Sequence, residues 1–569
     1  MSQSCIIKIR PSNPALQTQL EQSGANPLLA RLYAARNVAS ARELQDNLTE
    51  LLPYTQLKNC EAAANNLANA IMQNQAIMVV ADYDADGATA CTVAIKGLSS
   101  MGAHVDFLVP NRFEDGYGLS AKLAETAAQQ GAHILLTVDN GIASIEGVAR
   151  AQELGMKVIV TDHHLPAEQL PDCLIVNPNQ KDCTFPSKNL AGVGVIFYVL
   201  MALRAELRQR NWFSGSLKEP NLAELLDLVA LGTIADVVPL DHNNRILVSQ
   251  GLKRIRAGKM CHGIRALFEI ARRDPRKAQP FDMGFAIGPR INAAGRLDDM
   301  SLGIACLLSG SLETAQEIAT DLNTLNQTRQ EIEHGMLHNI LATFPERLPE
   351  NQTTVVVYRD DFHQGVVGIV ASRLKDKFYR PTIVFAQADA GELRGSGRSI
   401  TGLHLRDVLD LIAKRFPNLI IKFGGHAMAA GLTILAENLH AFQAAFEQMV
   451  AELVDENTLS QTLLTDGSLP ANEINLANAT FLAQQVWGQG FPQPTFSDEF
   501  QVVRQQKMGS TGLHTKAWLR KENHEFEAMF WRCQEQLPEK IRTVYRPTVN
   551  EWKGNHELQL YVDYWEQVS

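Results

Sequence analysis

The stretch Ala76-Ile77-Met78-Val79-Val80-Ala81-Asp82-Tyr83-Asp84-Ala85-Asp86-Gly87 decides the fold. Its first six residues are an apolar run of strand length, and three carboxylates and a glycine follow at once. In open α/β sheets the ligand crevice lies outside the carboxyl ends of the strands. The stretch therefore predicts a buried strand that delivers acidic side chains to a crevice.

Three more acidic clusters follow apolar runs further along the chain. They are Asp139-Asn140-Gly141 after 132–138, Asp162-His163-His164 after 156–161, and Asp236 after 225–235. We expect each cluster to lie at the end of a strand of one sheet. Four acidic strand ends would repel one another unless a cation lay between them. The pattern therefore predicts a site for two divalent metal ions.

Strands and helices alternate between residues 60 and 240. The predicted elements are strand 76–81, helix 86–100, strand 104–109, helix 119–130, strand 132–138, helix 143–154 and strand 156–161. This alternation is typical of an α/β fold with a doubly wound parallel sheet.

The remaining sequence predicts further domains, as expected for a chain of 569 residues. Leu312 to Thr343 reads as one long connecting helix, a second and smaller α/β unit follows, and the last hundred residues alternate like a small antiparallel β-barrel. Most tryptophans of this barrel can be assigned to its core. The predicted segments are a helical lead-in at 1–60, the catalytic domain at 61–310, the connecting helix at 311–345, the second α/β domain at 346–460 and the barrel at 461–569.

Composition indicates an ordinary soluble protein of a reducing compartment. Apolar residues make up 45% and charged residues 20%, and the eight cysteines form no C-x-x-C pair, so the cytoplasm is expected. The N-terminus lacks the features of a signal peptide. The most apolar stretch, Ala191 to Leu203, has 13 residues, too few to span a bilayer, and is expected to be a buried helix.

The net charge of −10 hides a local reversal. Between Arg245 and Leu297 there are 12 Lys or Arg residues and three acids, which leaves +9 over 53 residues. Basic faces are usually just solvated, but phosphodiester substrates need both a cationic track and metal ions. The segment therefore favours a nucleic-acid substrate.

Alternation in a strand would place Asp82, Asp84 and Asp86 on one face. A turn with an N-cap would explain one aspartate but not three. An EF-hand is excluded because the helical, apolar residues after Gly87 leave no calcium loop. Adjacent His163 and His164 point in different directions, so that one can bind metal while the other faces the substrate or acts in acid–base chemistry.

In this order the four clusters resemble those of the DHH phosphoesterase superfamily, and within it the branch of single-strand-specific exonucleases. The resemblance extends over nearly the whole chain, through Gly288-Pro289-Arg290-Ile291-Asn292-Ala293-Ala294-Gly295-Arg296 to Gly424-Gly425-His426-Ala427-Met428-Ala429-Ala430-Gly431. The last motif is similar to the glycine-rich signature of the DHHA1 domain. Many members carry a metal-binding histidine where this chain has Val80, and Asp82 can compensate for it.

The resemblance implies roles for individual residues. The implied metal ligands are Asp82, Asp84, Asp86, Asp139, His163 and Asp236, and Asp162 and His164 join them as catalytic residues. Arg112, Ser396 and Arg398 are expected to hold a 5′ phosphate, and Tyr117 to stack on a base. The other expected substrate contacts are Arg290, Asn292, Arg296, Gly424, Gly425 and His426. The C-terminal barrel resembles an OB-fold, a common single-strand-binding module.

The function expected from this resemblance is a 5′→3′ exonuclease that releases mononucleotides from single-stranded DNA during recombination and repair. Its cofactor would be a pair of Mn²⁺ or Mg²⁺ ions, and a narrow cleft between the α/β units would exclude duplex. A monomer that works with a helicase and a single-strand-binding protein, and without a membrane, is expected. The alternatives are a phosphodiesterase for cyclic dinucleotides or short oligonucleotides, and a catalytically dead nucleic-acid-binding scaffold.

Overall fold

Helices and strands alternate along the first half of the chain. The computed structural model describes residues 5–36, 38–111, 118–345, 347–349, 351–388, 391–509, 512–552 and 555–568. In chain order, the elements as far as residue 343 are β1 Ile6–Ile9, α1 Pro14–Gln22, α2 Pro27–Ala34, α3 Cys60–Met72, β2 Ala76–Ala81, α4 Ala85–Ser100, β3 His104–Leu108, α5 Ala121–Gln129, β4 Ile134–Val138, α6 Ile145–Glu153, β5 Lys157–Thr161, β6 Leu174–Val176, α7 Gly192–Gln209, α8 Leu226–Ala235, α9 His242–Arg256, α10 His262–Ile270, α11 Pro280–Asp282, α12 Gly288–Leu297, α13 Ser301–Leu308 and α14 Leu312–Thr343.

The second half contains a mixed α/β region and then an all-β region. Its elements are β7 Val355–Tyr358, α15 Val367–Phe378, β8 Thr382–Gln387, β9 Glu392–Arg398, α16 Leu405–Arg415, β10 Lys422–Gly425, β11 Ala429–Leu435, α17 Leu439–Leu453, β12 Thr462–Thr465, α18 Leu476–Ala483, β13 Phe496–Met508, β14 His514–Lys521, β15 His524–Phe530, β16 Lys540–Trp552 and β17 Asn555–Gln567.

The first sheet is parallel throughout, in the order β3-β2-β4-β5-β6. Its central strands read as continuous apolar runs because helices cover both faces. On one face Val80 and Leu135 pack with Leu123 of α5 and Val148 of α6. The doubly wound parallel sheet predicted from the sequence is confirmed.

The order of the strands places a crevice at the ends of β2 and β4. From β2 the chain moves to β3 on one side, and it then returns to β4 on the other side of β2. Neighbouring strands whose connections leave in opposite directions open a crevice at their carboxyl ends. Asp82 follows β2 and Asp139 follows β4, so both acids lie at this point.

The apolar run before Asp236 is a helix, and the prediction of a strand there is wrong. α8 contains Leu226, Leu228 and Leu231, all of which are buried. A helix that is buried all round has no polar face, so its sequence lacks the period that would distinguish it from a buried strand. Asp236 therefore lies at the end of a helix.

The apolar stretch Ala191–Leu203 falls in α7, a buried helix as predicted. Among the residues that the structure describes, no helix combines the length and the hydropathy needed to cross a membrane.

The chain divides into two compact units. The first unit contains residues 1–8 and 324–463, and the second contains residues 9–323 and 464–569. Helix α14 begins in the second unit and ends in the first. The first unit is built on a mixed sheet in the order β10-β11-β9-β8-β7, in which the pair β7–β8 is parallel. The division into five segments stays a prediction.

The last five strands close into a barrel in the order β13-β14-β15-β17-β16, as the OB-like prediction requires. The pair β15–β17 is parallel, so the prediction of an antiparallel barrel is wrong for that pair and holds for the other four. Its interior is filled by phenylalanine and tyrosine, including Phe496, Phe530 and Tyr545. Trp531 is instead 49% exposed. Trp518 stacks against Arg504, whose Cζ lies 3.6 Å from the centroid of the Trp518 ring. The assignment of most barrel tryptophans to the core is wrong for these two, which belong to the outer surface.

A buried ion pair ties the N-terminal helices to the segment before the barrel. Arg36 donates to both carboxylate oxygens of Asp466 at 2.8 Å, and their side chains are 0% and 3% exposed. Arg36 also donates to the carbonyl of Pro492 at 2.8 Å and lies over the ring of Trp487. The segment before the barrel is therefore part of the core of its unit.

Arg36→Met should lower the free energy of unfolding by about 3–5 kcal/mol, because it removes the bidentate partner of the buried Asp466 carboxylate and leaves only the weaker contact with Arg10 Nε at 3.6 Å. Urea unfolding followed by tryptophan fluorescence measures this, since Trp487 lies beside the pair. The matched control is Arg150→Met, whose partially exposed pairs with Glu125 and Glu153 should contribute less than about 1 kcal/mol. Equal shifts for both variants would contradict the structural role of the buried pair.

Candidate functional site

The loop from Asp82 to Gly87 carries three carboxylates on a tight turn between β2 and α4. Asp84 is the N-cap of α4, and its Oδ1 accepts hydrogen bonds from the backbone N–H groups of Asp86 and Gly87 at 2.9 and 3.0 Å. A Cβ at Gly87 would lie 2.6 Å from the carbonyl oxygen of Asp82, so the turn requires glycine. The expectation of simple strand alternation is wrong, because α4 already begins at Ala85 and the turn places the carboxylates.

Asp86 is held by the N-terminus of α7. Its Oδ2 accepts from the N–H of Gly192 at 2.6 Å and its Oδ1 from that of Val193 at 3.0 Å. Burial and the charge of Asp84 raise the pKa of Asp86 to about 7, although the two hydrogen bonds oppose the shift. The positive end of the helix dipole thus stabilises a carboxylate that is 1% exposed.

Asp139, His163 and Asp236 meet around one imidazole nitrogen. His163 Nε2 lies 3.1 Å from Asp139 Oδ1 and 3.5 Å from Asp236 Oδ2. Burial raises the pKa of Asp139 and of Asp236 well above the usual range, and the neighbouring carboxylates, Asp86 foremost, raise both further. The two acids therefore lie in a field of like charge.

The acids and histidines form three overlapping groups. In each group one ligand atom of every residue lies within 4.8 Å of the others. The groups are Asp82 with Asp84 and Asp139, Asp86 with His163 and Asp236, and Asp139 with His163 and His164. The structure therefore brings together all six predicted ligands, and it adds His164 to their neighbourhood.

Carboxylate oxygens together with imidazole suit Mn²⁺, and carboxylates also suit Mg²⁺. A cation among these groups would replace the mutual repulsion of the acids with attraction. The residues present fit a divalent metal centre with shared ligands.

Asp162 orients the two histidines. Its Oδ1 accepts from the backbone N–H of His163 at 2.7 Å and of His164 at 3.1 Å, and it lies 2.7 Å from His164 Nδ1. Burial alone would raise the pKa of Asp162, but the hydrogen bond and charge of His164 hold it below its usual value. Burial would likewise lower the pKa of His164, but Asp162 and the nearby acids raise it to about 9. His164 is therefore a cationic donor at neutral pH.

Three glycines make room for this centre, and of these only Gly295 lies in a motif quoted from the sequence. A Cβ at Gly192 would lie 2.4 Å from Asp139 Cβ, one at Gly232 would lie 2.7 Å from Asp86 Oδ1, and one at Gly295 would lie 2.0 Å from the carbonyl oxygen of Tyr83. Real Cβ atoms do not approach so closely. The one sequence feature that could have revealed these close approaches is the pair Gly192 and Gly194 at the start of an apolar helix. That feature does not indicate that an acid lies beside Gly192.

The motif at 288–296 forms α12, which supports the Asp82–Gly87 loop. Asn292 Oδ1 accepts from the N–H of Ala85 at 2.8 Å. Arg290 donates to the carbonyl of Ala286 at 2.6 Å and to Asn323 Oδ1 at 3.1 Å. Arg296 is partly buried on the same helix. The expected contacts of these three side chains with substrate stay predictions.

The other unit contains a separate cluster on β9 and β11. Ser396 and Arg398 lie on one side of β9, and Arg398 Nη1 is 3.1 Å from Ser396 Oγ. A Cβ at Gly368, in the first turn of α15, would lie 2.9 Å from that Oγ and 3.0 Å from Arg398 Nη2. A guanidinium, a hydroxyl and a helix N-terminus thus converge, which is the arrangement that binds phosphate.

The glycine-rich motif is the hairpin of β10 and β11. Gly424 pairs with Gly431 across the hairpin, and Gly425 has a φ of 138°, which favours glycine. Gly431 also faces Ser396 on β9, so the hairpin lies beside the guanidinium cluster. His426 is exposed at the tip of the hairpin. The predicted residues Arg112 and Tyr117 lie outside the described residues.

Known proteins match this chain along nearly its whole length. Family models match residues 76–233 (DHH family, N-terminal domain), 351–452 (DHHA1 domain) and 465–564 (RecJ OB domain). The chain is 48% identical to the single-stranded-DNA-specific exonuclease RecJ of Salmonella typhimurium, covering 94% of this chain and 95% of that one. It is 49% identical to the protein of the same name from Haemophilus influenzae, covering 96% and 97%.

A solved structure is similar over 99% of the chain. It is RecJ of Thermus thermophilus in complex with Mn²⁺, with a TM-score of 0.83 and 29% identity over 79% of that chain. The same protein in complex with Mg²⁺ matches with a TM-score of 0.78, 28% identity and coverage of 99% and 78% of the two chains.

Gly192→Ala should weaken binding of Mn²⁺, because the new Cβ would displace the Asp139 side chain. Gly194→Ala is the matched control: it lies on the same helix, and its Cβ would contact the Leu190 side chain, with Cδ2 at 3.1 Å, and none of the acids. We expect Mn²⁺ to raise the melting temperature of the control as much as that of the wild type, and that of Gly192→Ala much less. An equal Mn²⁺-dependent rise in both variants would contradict the requirement for glycine at 192.

Proposed function

Because this chain belongs to the RecJ family of single-stranded-DNA-specific exonucleases, we propose that it degrades single-stranded DNA from the 5′ end and releases 5′ mononucleotides. This activity serves DNA recombination and repair. The observation that carries the proposal is the cluster of acids and histidines at the carboxyl ends of β2 and β4. A non-catalytic scaffold would not need six coordinating side chains to converge there.

We assign two Mn²⁺ or Mg²⁺ ions to this centre, with Asp82, Asp84, Asp86, Asp139, His163 and Asp236 as their ligands. Bound divalent ions lower the pKa of water and neutralise charge on the attacking and leaving oxygens of a phosphoryl group. Asp139 and His163 each belong to two of the close groups, so both would be among the residues that hold the ions.

His164 supplies a positive charge beside the ligands. Asp162 holds its ring through Nδ1, and the ring is proposed to donate a hydrogen bond to a phosphate oxygen. Burial lowers the pKa of His164, but the hydrogen bond and charge of Asp162 raise it and so favour the protonated donor. Asp162 acts as a positioning residue, because its carboxylate is committed to the two histidines and to the N–H of Ile142.

Ser396 and Arg398 are proposed to hold the terminal 5′ phosphate. Their convergence with the N-terminus of α15 supports this assignment. Arg112 is proposed as a further phosphate ligand and Tyr117 as a base-stacking residue at the entrance.

The barrel is proposed to extend the contacts with single-stranded DNA. The outer surface of the barrel presents aromatic and cationic groups. The Arg504 guanidinium stacks on the Trp518 ring there, and Trp531 is exposed. Such surfaces bind single strands by stacking and by charge. A substrate as small as a cyclic dinucleotide would make no use of them.

We further propose that the protein acts as a monomer in the cytoplasm. A helicase that exposes 5′ ends and a single-strand-binding protein are the expected partners. All eight cysteines are free thiols, in keeping with a reducing compartment.

Product analysis on labelled oligonucleotides tests the proposed polarity. A single strand with a 5′ phosphate should be degraded faster than one with a 5′ hydroxyl. Arg398→Ala should reduce this difference by about 10-fold or more, because it removes a charge-assisted contact worth roughly 1.5–3 kcal/mol. The matched control is Arg394→Ala. Arg394 is an exposed residue of the same strand, and its guanidinium contacts Gln364. This variant should keep the wild-type difference between the rates on 5′-phosphate and 5′-hydroxyl ends.

Asp236→Ala serves as the inactive reference, since loss of a metal ligand should abolish turnover. Degradation from the 3′ end, equal rates on phosphate and hydroxyl ends, or ready digestion of blunt duplex would contradict the proposal.

A further inference from the structure

Two phenylalanines form an exposed, stacked pair on the surface of the unit that holds the acidic centre. Phe281 is 53% and Phe285 is 73% exposed. Their ring centroids are 4.7 Å apart and their planes differ by 19°. Large aromatic side chains are rarely left so exposed as a pair, and such a patch indicates a binding surface.

The pair lies on an irregular helical segment that supports Asp236. Residues 283–287 form a π-helix between α11 and α12, a conformation that is frequent at functional sites. On the inner side of this segment a Cβ at Gly284 would lie 3.4 Å from Ile234 Cγ2, and one at Gly288 would lie 3.2 Å from Ala235 Cβ. The segment therefore packs on the last turn of α8, directly before Asp236.

The same helical segment leads from the pair to the acidic loop. Asn292, which accepts a hydrogen bond from the N–H of Ala85, is eleven residues beyond Phe281, a path of roughly 16 Å at 1.5 Å per residue. At about 3.4 Å per nucleotide this corresponds to on the order of five nucleotides, and fewer if the strand is extended. A strand whose first nucleotide lies at the metal centre can reach the pair, whereas a dinucleotide cannot.

Cationic side chains precede the pair in the sequence. Arg272, Arg273, Arg276 and Lys277 are exposed, and they belong to the segment 245–297 with its excess charge of +9. Three of them also contact acids: Arg273 lies 3.7 Å from Asp282, Arg276 lies 2.8 Å from Asp274, and Lys277 lies 2.6 Å from Glu551. This segment offers the charge that a polyanion requires, next to a surface that is apolar and flat.

Phe281 also borders a groove that continues to the barrel. The groove is a cavity of about 1100 Å³ within the same unit, and it is lined by Phe281, Arg256, Arg272, Arg276, Thr548 and Val549 among others. Arg256 lines the groove and is held there by a hydrogen bond from its Nε to the carbonyl of Ala278. A single strand that passes the pair would enter a basic groove between the helices and β16.

We propose that Phe281 and Phe285 form a stacking platform for bases of single-stranded DNA on the 3′ side of the nucleotide being removed, and that the basic groove guides the strand from this platform to the barrel. The platform rests on the proposed exonuclease function, because the polarity of that reaction decides which part of the strand lies there. Bases of any identity can stack on the pair. The platform therefore makes long strands bind more tightly than short ones, whatever their base sequence.

The test compares the KM of the full-length enzyme for 5′-phosphorylated strands of two and about twenty nucleotides in Mn²⁺. Stacking of one base on an aromatic side chain contributes roughly 10-fold or more in affinity. The double variant Phe281→Ala, Phe285→Ala should raise KM for the long strand by about that factor, and KM for the dinucleotide by less than about twofold. Phe281→Tyr with Phe285→Tyr should restore the long-strand KM, because it restores the flat rings.

Leu154→Ala is the matched control. Leu154 is an apolar residue with 37% exposure that caps the C-terminus of α6. It lies just before β5 begins, at the amino ends of the strands and opposite to the acidic centre. Its loss should not change how KM depends on strand length. Anisotropy of the labelled long strand with metal-free protein gives a second reading that does not depend on turnover, and it should show the same loss of affinity in the alanine variant.

An unchanged ratio of long-strand to short-strand KM in the alanine variant would overturn the platform and leave the exonuclease assignment intact. A wild-type dimer in sedimentation that dissociates in the alanine variant would also overturn it, since the pair would then join two copies of the chain. If the wild type cleaved neither strand, the proposed function would fail, and anisotropy would still decide whether the pair binds single-stranded DNA.

Discussion

Repulsion among buried carboxylates at the ends of β2 and β4 is the constraint on which the rest of the structure depends. Two unit charges 4 Å apart repel by about 4 kcal/mol at an effective dielectric constant of 20. Several such pairs would rival the whole stability of a domain, which is about 5–15 kcal/mol. Burial raises the pKa of Asp86, Asp139 and Asp236, and the charge of the neighbouring carboxylates raises each further. The centre is built to be completed by cations.

The surrounding elements hold the acids in place against that repulsion. The N-terminus of α7 binds Asp86, Asp162 fixes both histidines, and Asn292 of α12 supports the loop after β2. Glycines at 192, 232 and 295 are required because backbone or carboxylate atoms occupy the space of a Cβ. Positioning of the ligands is therefore distributed over helices that are far apart in sequence, and the rigid sheet supplies the common frame.

Local pattern was enough to predict the parallel sheet and the convergence of the acids. An apolar run followed by Asp82 or Asp139 predicts a buried strand with an acid at its carboxyl end. The helix before Asp236 was missed because α8 is apolar on all sides and has no period to read. The roles of Gly192 and Asn292 could not be predicted, since each depends on a contact between residues that are more than fifty positions apart. Such long-range contacts leave no trace in local sequence. The exposed pair of Phe281 and Phe285 was likewise hidden, because spacing alone does not tell a surface aromatic from a core one.

The most direct measurement of the central claim is the melting temperature of the wild type and of Asp139→Asn, each without metal and with saturating Mn²⁺. Asparagine has nearly the same shape and tolerates the positive φ of 62° at this position, so the substitution removes mainly charge. Without metal the variant should melt at the higher temperature, because repulsion is reduced. With Mn²⁺ the order should reverse, because binding stabilises the wild type by mass action and the variant has lost a ligand. The same order of melting temperatures in both conditions would contradict the claim that cations complete this centre.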